Sequence, residues 1–113
     1  MTNEELQRIS LQFQEVVNLS DPELEAWLRT DESKAVGFKP EGSGESVGHA
    51  SGRRIVSLLR KSGRGLVEDD YRHMRKVVGY VHRHLAQRPR GEVSHTHWRY
   101  SLMNWGHDPL RGA

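Results

Sequence analysis

The chain has 113 residues, with 17 Lys and Arg against 15 Asp and Glu, and no cysteine. That length predicts one domain with a modest core, and the missing cysteines exclude disulfides, Cys-based zinc sites and thiol nucleophiles. With no apolar run of about 18 residues and no charged-then-apolar leader, the expectation is a cytoplasmic protein without a membrane partner.

The net charge of +2 hides a split. Residues 1–45 carry four basic and ten acidic side chains, a balance of −6. Residues 46–113 carry thirteen basic and five acidic, a balance of +8. A basic half of this kind suits a polyanion such as nucleic acid, unless the acidic half docks on it instead. Thirteen of the seventeen cations are arginine, the side chain that meets phosphate with two parallel donors.

Five helical segments and no strand are predicted. The first is "TNEELQRISLQFQEVVNL", where Thr2 and Glu5 have capping-box spacing and Leu6, Ile9, Phe13, Val16 and Val17 recur at helical intervals. The second, "SDPELEAWLR", pairs Ser20 with Glu23 and puts Pro22 in the first turn. Leu24, Trp27 and Leu28 form its apolar face. The polar stretch "TDESKAVGF" then leads into residues 37–48, which hold Gly37, Pro40, Gly42, Gly44 and Gly48. This breaker-rich loop coincides with the change of charge sign.

The third helix starts at Ser46 or Ser51 and runs to Lys61, with "SGRG" at 62–65 as its stop signal. The fourth, "EDDYRHMRKVVGYVHRHLAQR", has three acids in its first turn and the stripe Tyr71, Met74, Val78, Val81 and Leu85. Gly79 inside it would permit a close helix crossing. The fifth spans about Ser94 to Asn104, with Trp98, Leu102 and Trp105 on one side and Gly106 as its C-cap.

The fold class is therefore all-α, a compact bundle of four to five helices with a Gly-rich loop between helices two and three. Residues 1–36 form acidic N-terminal helices, 37–48 the loop and 49–113 a basic helical core. That core is expected around Ile55, Leu58, Leu59, Tyr71, Met74, Val78, Val81, Leu85, Trp98 and Leu102.

Chemistry concentrates in "PEGSGESVGHASGRRIVSLLRKSGRG". Glycines allow close backbone approach, and a helix N-terminus offers unpaired N–H groups to an anion. Ser46, Ser51, Arg53 and Arg54 add donors. The Lys-Ser/Thr step of a nucleotide-hydrolysis loop is missing, and no strand precedes it.

Histidines at 82 and 84, and at 95 and 97, have i, i+2 spacing, which on a helix points the rings about 200° apart. Metal chemistry is accordingly not expected, and no cofactor or catalytic set is predicted. The third helix, the "KSGRG" turn and the fourth helix suggest a helix-turn-helix-like pair. The predicted nucleic-acid contacts are Ser51, Arg53, Arg54, Arg60, Lys61, Arg64, Arg72, Arg75, Lys76 and Arg83. Asn104 and Gln87 are candidates for reading base edges.

At "SVGHASGRRIVSLLRK", "EDDYRHMRKVVGYVHRHLAQRP" and "HWRYSLMNWGHDP" the chain resembles a small bacterial family of unknown function, domain-of-unknown-function family number thirty-one forty. Its members are often labelled DNA-binding proteins. The resemblance extends from "LSDPELEAWL" to "WGHDP". It implies a direction towards DNA, but it supplies no contact residues.

Together these readings predict a nucleic-acid-binding protein, with DNA before RNA and duplex as its form. The alternative is a protein-interaction or homodimerisation module, in which the acidic N-terminal helices of one copy meet the basic face of another. The two differ in whether residues 1–35 cover the basic face.

Overall fold

The computed structural model describes residues 1–61 and 64–111. Among them are six helices and no strand: α1 (Asn3–Val16), α2 (Asp21–Leu28), α3 (Asp31–Ala35), α4 (Val47–Lys61), α5 (Glu68–Leu85) and α6 (His97–Asn104). No helix among the described residues is long and apolar enough to cross a membrane.

The capping residues act as their spacing requires. Thr2 Oγ1 accepts the Glu5 N–H at 3.1 Å. Ser20 and Glu23 form a full capping box, each side chain accepting the other's backbone N–H at 3.3 and 2.9 Å. The extra helix, α3, starts where the polar stretch was expected. Thr30 Oγ1 caps it by accepting the Ser33 N–H at 3.1 Å. At five residues it is too short for an apolar repeat, and the segment without helix at 36–46 lies between α3 and α4. The "SGRG" stop signal falls partly on residues 62 and 63, which lie outside the described residues.

The core is not confined to the last three predicted helices. Ile9, Phe13 and Val16 from α1 and Leu24 and Leu28 from α2 are buried in one cluster with Ile55, Leu58, Met74, Val78, Val81, Trp98 and Leu102. Leu59, Tyr71 and Leu85 are only partly buried against it. The reason is pairing across the chain: α1 packs chiefly along α5 and α2 chiefly along α4, while α6 touches α2, α3, α4 and α5. The contact between α4 and α5 is slight, so they do not form the close helix-turn-helix pair that the sequence suggested.

Two glycines on one face of α4 decide how α6 docks. A Cβ at Gly52 would lie 2.6 Å from the Asn104 carbonyl oxygen and 2.7 Å from Leu28 Cδ2. A Cβ at Gly48 would lie 3.0 Å from Trp105 Nε1. This close approach buries Asn104, 1% exposed, between three helices. Its Oδ1 accepts from Trp27 Nε1 at 2.8 Å and from the Ser33 hydroxyl, and its Nδ2 donates to the Ser33 carbonyl at 3.0 Å. Asn104 is therefore a structural hub and is not free to read a base edge. Gly106, at φ 82, ends α6, and its carbonyl accepts the N–H groups of Asn18 and Leu19.

The same substitution should act with opposite sign at two helical glycines. Gly52→Ala forces a methyl into backbone and is expected to cost about 1–3 kcal/mol. At Gly79 the nearest atom is the flexible end of Arg83, 2.9 Å from a built Cβ. Gly79→Ala should leave stability unchanged or gain up to about 1 kcal/mol from helix propensity. Urea unfolding of both variants measures this. Equal destabilisation would contradict the packing described.

Candidate functional site

The ten predicted contact residues do not share one face. Arg53 binds Glu45, just before α4, and Arg60 turns towards α2, binding Asp21 at 3.3 Å and Glu25 at 2.7 Å. Arg54 and Lys61 turn towards the start of α5 and hold Asp70, at 3.4 and 2.9 Å. Asp70 is 5% exposed and also accepts the Val67 N–H at 3.0 Å. That backbone bond, then Lys61, holds its carboxyl below the usual range despite burial. Arg72 pairs with Glu68 at 3.2 Å and Arg75 with Glu5 at 3.8 Å.

Acids of the N-terminal half thus engage Arg53, Arg60 and Arg75, and acids of the basic half itself engage Arg54, Lys61 and Arg72. Surface pairs of this kind contribute only about 0–1 kcal/mol each. The exposed Arg72 and Arg75 remain available to a competing phosphate. Arg54 and Lys61, bound to a buried carboxylate, do not.

The phosphate cradle expected at the start of α4 is largely filled by the chain itself. The Val47 N–H donates to the Phe38 carbonyl at 2.9 Å, and the His49 N–H to Ser46 Oγ at 3.0 Å. Glu45 receives Arg53 at 2.8 Å and pairs with His49. The Arg53 contact, foremost, lowers the Glu45 carboxyl to about 2. Ser51 is buried, and its hydroxyl bonds His73 Nε2 at 2.9 Å.

Lys76, Arg83 and Arg64 differ from the other predicted cations, and only the first two share a cavity. Both are exposed, and neither has an ion pair among the described residues. They lie seven positions apart on α5, and so on one face. Both line a cavity of about 370 Å³ between α5, α6 and the 37–48 segment. Arg83 folds back over Gly79, where no side chain stands in its way. The cavity wall is Tyr80 stacked on Trp105, with ring centres 4.2 Å apart and planes 13° apart. Phe38, 75% exposed, stands on the rim. Arg64 is exposed and lines none of the cavities described.

The sequence reading missed Phe38, Tyr80, the Trp105 indole N–H and the packing role of Gly48. The legible signal was the glycine pair at i, i+4 in α4 and the glycine four residues before Arg83. Among the described residues, no group of three or more His, Asp or Glu is placed to hold a metal ion.

The family described as "Protein of unknown function (DUF3140)" matches residues 12–103. The chain belongs to this family. No curated protein and no solved structure matches it. All ten predicted contacts, and the cavity residues Phe38, Gly48 and Tyr80, fall inside the part that matches DUF3140. Trp105 follows two residues beyond it.

Two partly buried histidines should make this DUF3140 chain sensitive to acid. Burial, then the nearby Arg54 and Lys76 charges, lowers His73 from 6.5 to about 4, although Asp69 and Asp70 oppose the shift. Burial also lowers His84, whose Nε2 has no hydrogen-bond partner. The unfolded chain binds a proton near 6.5 that the folded His73 refuses until about 4. Stability should therefore fall as pH drops through that window. At lower pH the depressed carboxyls of Glu45 and Asp70 add their own loss. Thermal unfolding against pH tests this. His73→Gln, which can still bond Ser51, should flatten the slope between pH 6.5 and 4, and an unchanged slope would contradict it.

Proposed function

We propose that the protein binds nucleic acid through phosphate contacts centred on Lys76 and Arg83. The observation that carries the reading is that these two cations share one face of α5 and one cavity with no carboxylate among the described residues engaging them. A cation without an internal partner can release counterions from a phosphate backbone at no cost in lost ion pairs. Arg72 and Arg75, held only by exposed pairs, extend the same helix towards its start. Arg54, Arg60 and Lys61 leave the footprint because each serves an acid on another helix, and Arg53 because it serves Glu45 just before α4.

The alternative, a module whose acidic helices meet the basic face of a second copy, loses support from the same pairs. Glu5, Asp21, Glu23 and Glu25 bind Arg75, Arg60 and Arg111 within the chain. DNA is the first nucleic acid to test, following the label that relatives resembling this chain carry.

Binding of labelled DNA should weaken linearly in log–log form as salt rises. Lys76→Ala/Arg83→Ala should lower affinity and reduce the salt slope by about two. Arg53→Ala/Arg60→Ala should change stability more than affinity. Fluorescence anisotropy at several salt concentrations measures both. No detectable binding at low salt, or an unchanged slope in the Lys76/Arg83 variant, would contradict the proposal.

A further inference from the structure

The cavity beside Lys76 and Arg83 has features that phosphate contact alone does not need. Phe38 is an aromatic ring left 75% exposed on its rim. Its backbone is tied to the start of α4, because its carbonyl accepts the Val47 N–H at 2.9 Å. An exposed, anchored ring beside cations is the arrangement on which unpaired bases stack.

The second feature is a polar group that no other described part of the chain engages. Trp105 is 4% exposed, and its Nε1–H has no hydrogen bond among the described residues. Nε1 is the atom nearest Gly48, and both residues line the cavity. The N–H therefore faces the cavity beside the one residue type that leaves it uncovered. The atom is not closed off by protein, so the N–H is open to a ligand in the cavity that brings an acceptor. Tyr80 on one side of the indole, at 4.2 Å, and His73 on the other, at 6.3 Å, hold the ring in place. Trp105 thus offers its edge and not its face.

The third feature is charge. Lys76 and Arg83 supply two positive groups, and no acid lines the cavity. Gly79 gives the Arg83 guanidinium a seat one turn back along α5, towards Lys76.

A flat ring, an acceptor on its edge and an attached anion together describe one nucleotide. In a duplex both faces of a base are stacked and its pairing edge is occupied, so a paired base cannot use Phe38 or the Trp105 N–H. Resting on the nucleic-acid reading above, we propose that this cavity takes a single unpaired nucleotide. The base lies against Phe38 with an acceptor on Trp105 Nε1–H, and the phosphate lies between Lys76 and Arg83. The preferred nucleic acid is then single-stranded, where the sequence alone pointed to duplex.

The test compares oligothymidylate, a duplex of the same length and thymidine monophosphate, with the full chain and three variants. The single strand should bind at least tenfold more tightly than either other probe. Phe38→Ala, at an exposed position that leaves the core intact, should weaken single-strand binding about tenfold and leave duplex binding unchanged. Trp105→Phe keeps the ring stack but removes the N–H, and should weaken single-strand binding alone. Lys76→Ala/Arg83→Ala should weaken both strand forms. Equal affinity for strand and duplex, both indifferent to Phe38→Ala, would overturn the inference while the phosphate-binding reading stands. Monophosphate bound as tightly as the strand would also overturn it, making a free nucleotide the occupant. No binding to either strand form at low salt would overturn the proposed function itself.

Discussion

The close approach of the end of α6 to the glycine face of α4 is the constraint on which the rest of the structure depends. Gly52 leaves room for the Asn104 carbonyl and Gly48 for the Trp105 indole edge. Once α6 sits there, Asn104 can join Trp27 and Ser33, so that one buried side chain ties α2, α3 and α6 together. The same docking sets Trp105 against Tyr80 and turns its N–H into the cavity beside α5. Core geometry and site geometry are therefore one arrangement. Methyl groups on this face of α4 would disturb both.

Charge works differently from what a count over the two halves suggests. The imbalance of −6 against +8 is met in part by pairs between the halves, with Arg60 on Asp21 and Glu25, Arg111 on Glu23 and Arg75 on Glu5. Most of these pairs are exposed and individually weak, and pairs within the basic half, such as Arg54 with Asp69 and Asp70, engage further cations. Among the cations left without an ion pair in the described residues, Lys76 and Arg83 share one face and one cavity. The Asp70 cluster is of another kind. Its carboxylate is buried and receives a backbone N–H as well as Lys61 and Arg54, which links the end of α4 to the start of α5.

The helices of this chain were legible because their signals are local. The stripe from Tyr71 to Leu85, the caps at Thr2 and Ser20 and the stop at Gly106 need only a few neighbouring residues to be read. α3 was not legible, since five residues carry no period and Thr30 with Ser33 looks like any polar turn. The site was less legible still. Gly48 and Gly52 read as a phosphate loop because both uses of glycine, approach to a ligand and approach to a helix, leave the same letter in the sequence. Asn104 read as a base contact because nothing local reveals that Trp27, 77 positions away, claims its oxygen. Arg53 and Arg60 read as free because their acids lie up to 39 residues away. Lys76 and Arg83 were among the predicted contacts, but only the fold distinguishes them from their paired neighbours.

The most direct measurement is a two-dimensional nitrogen–proton NMR titration of the labelled protein with oligothymidylate. It follows the Trp105 indole N–H beside the backbone amides of Phe38, Gly48 and Lys76. The account predicts that these four resonances shift together and saturate at one strand per site, while those of Arg53 and Arg60 stay in place. Shifts gathered at Arg53, Arg60 and their α2 partners, with the Trp105 indole unmoved, would contradict it.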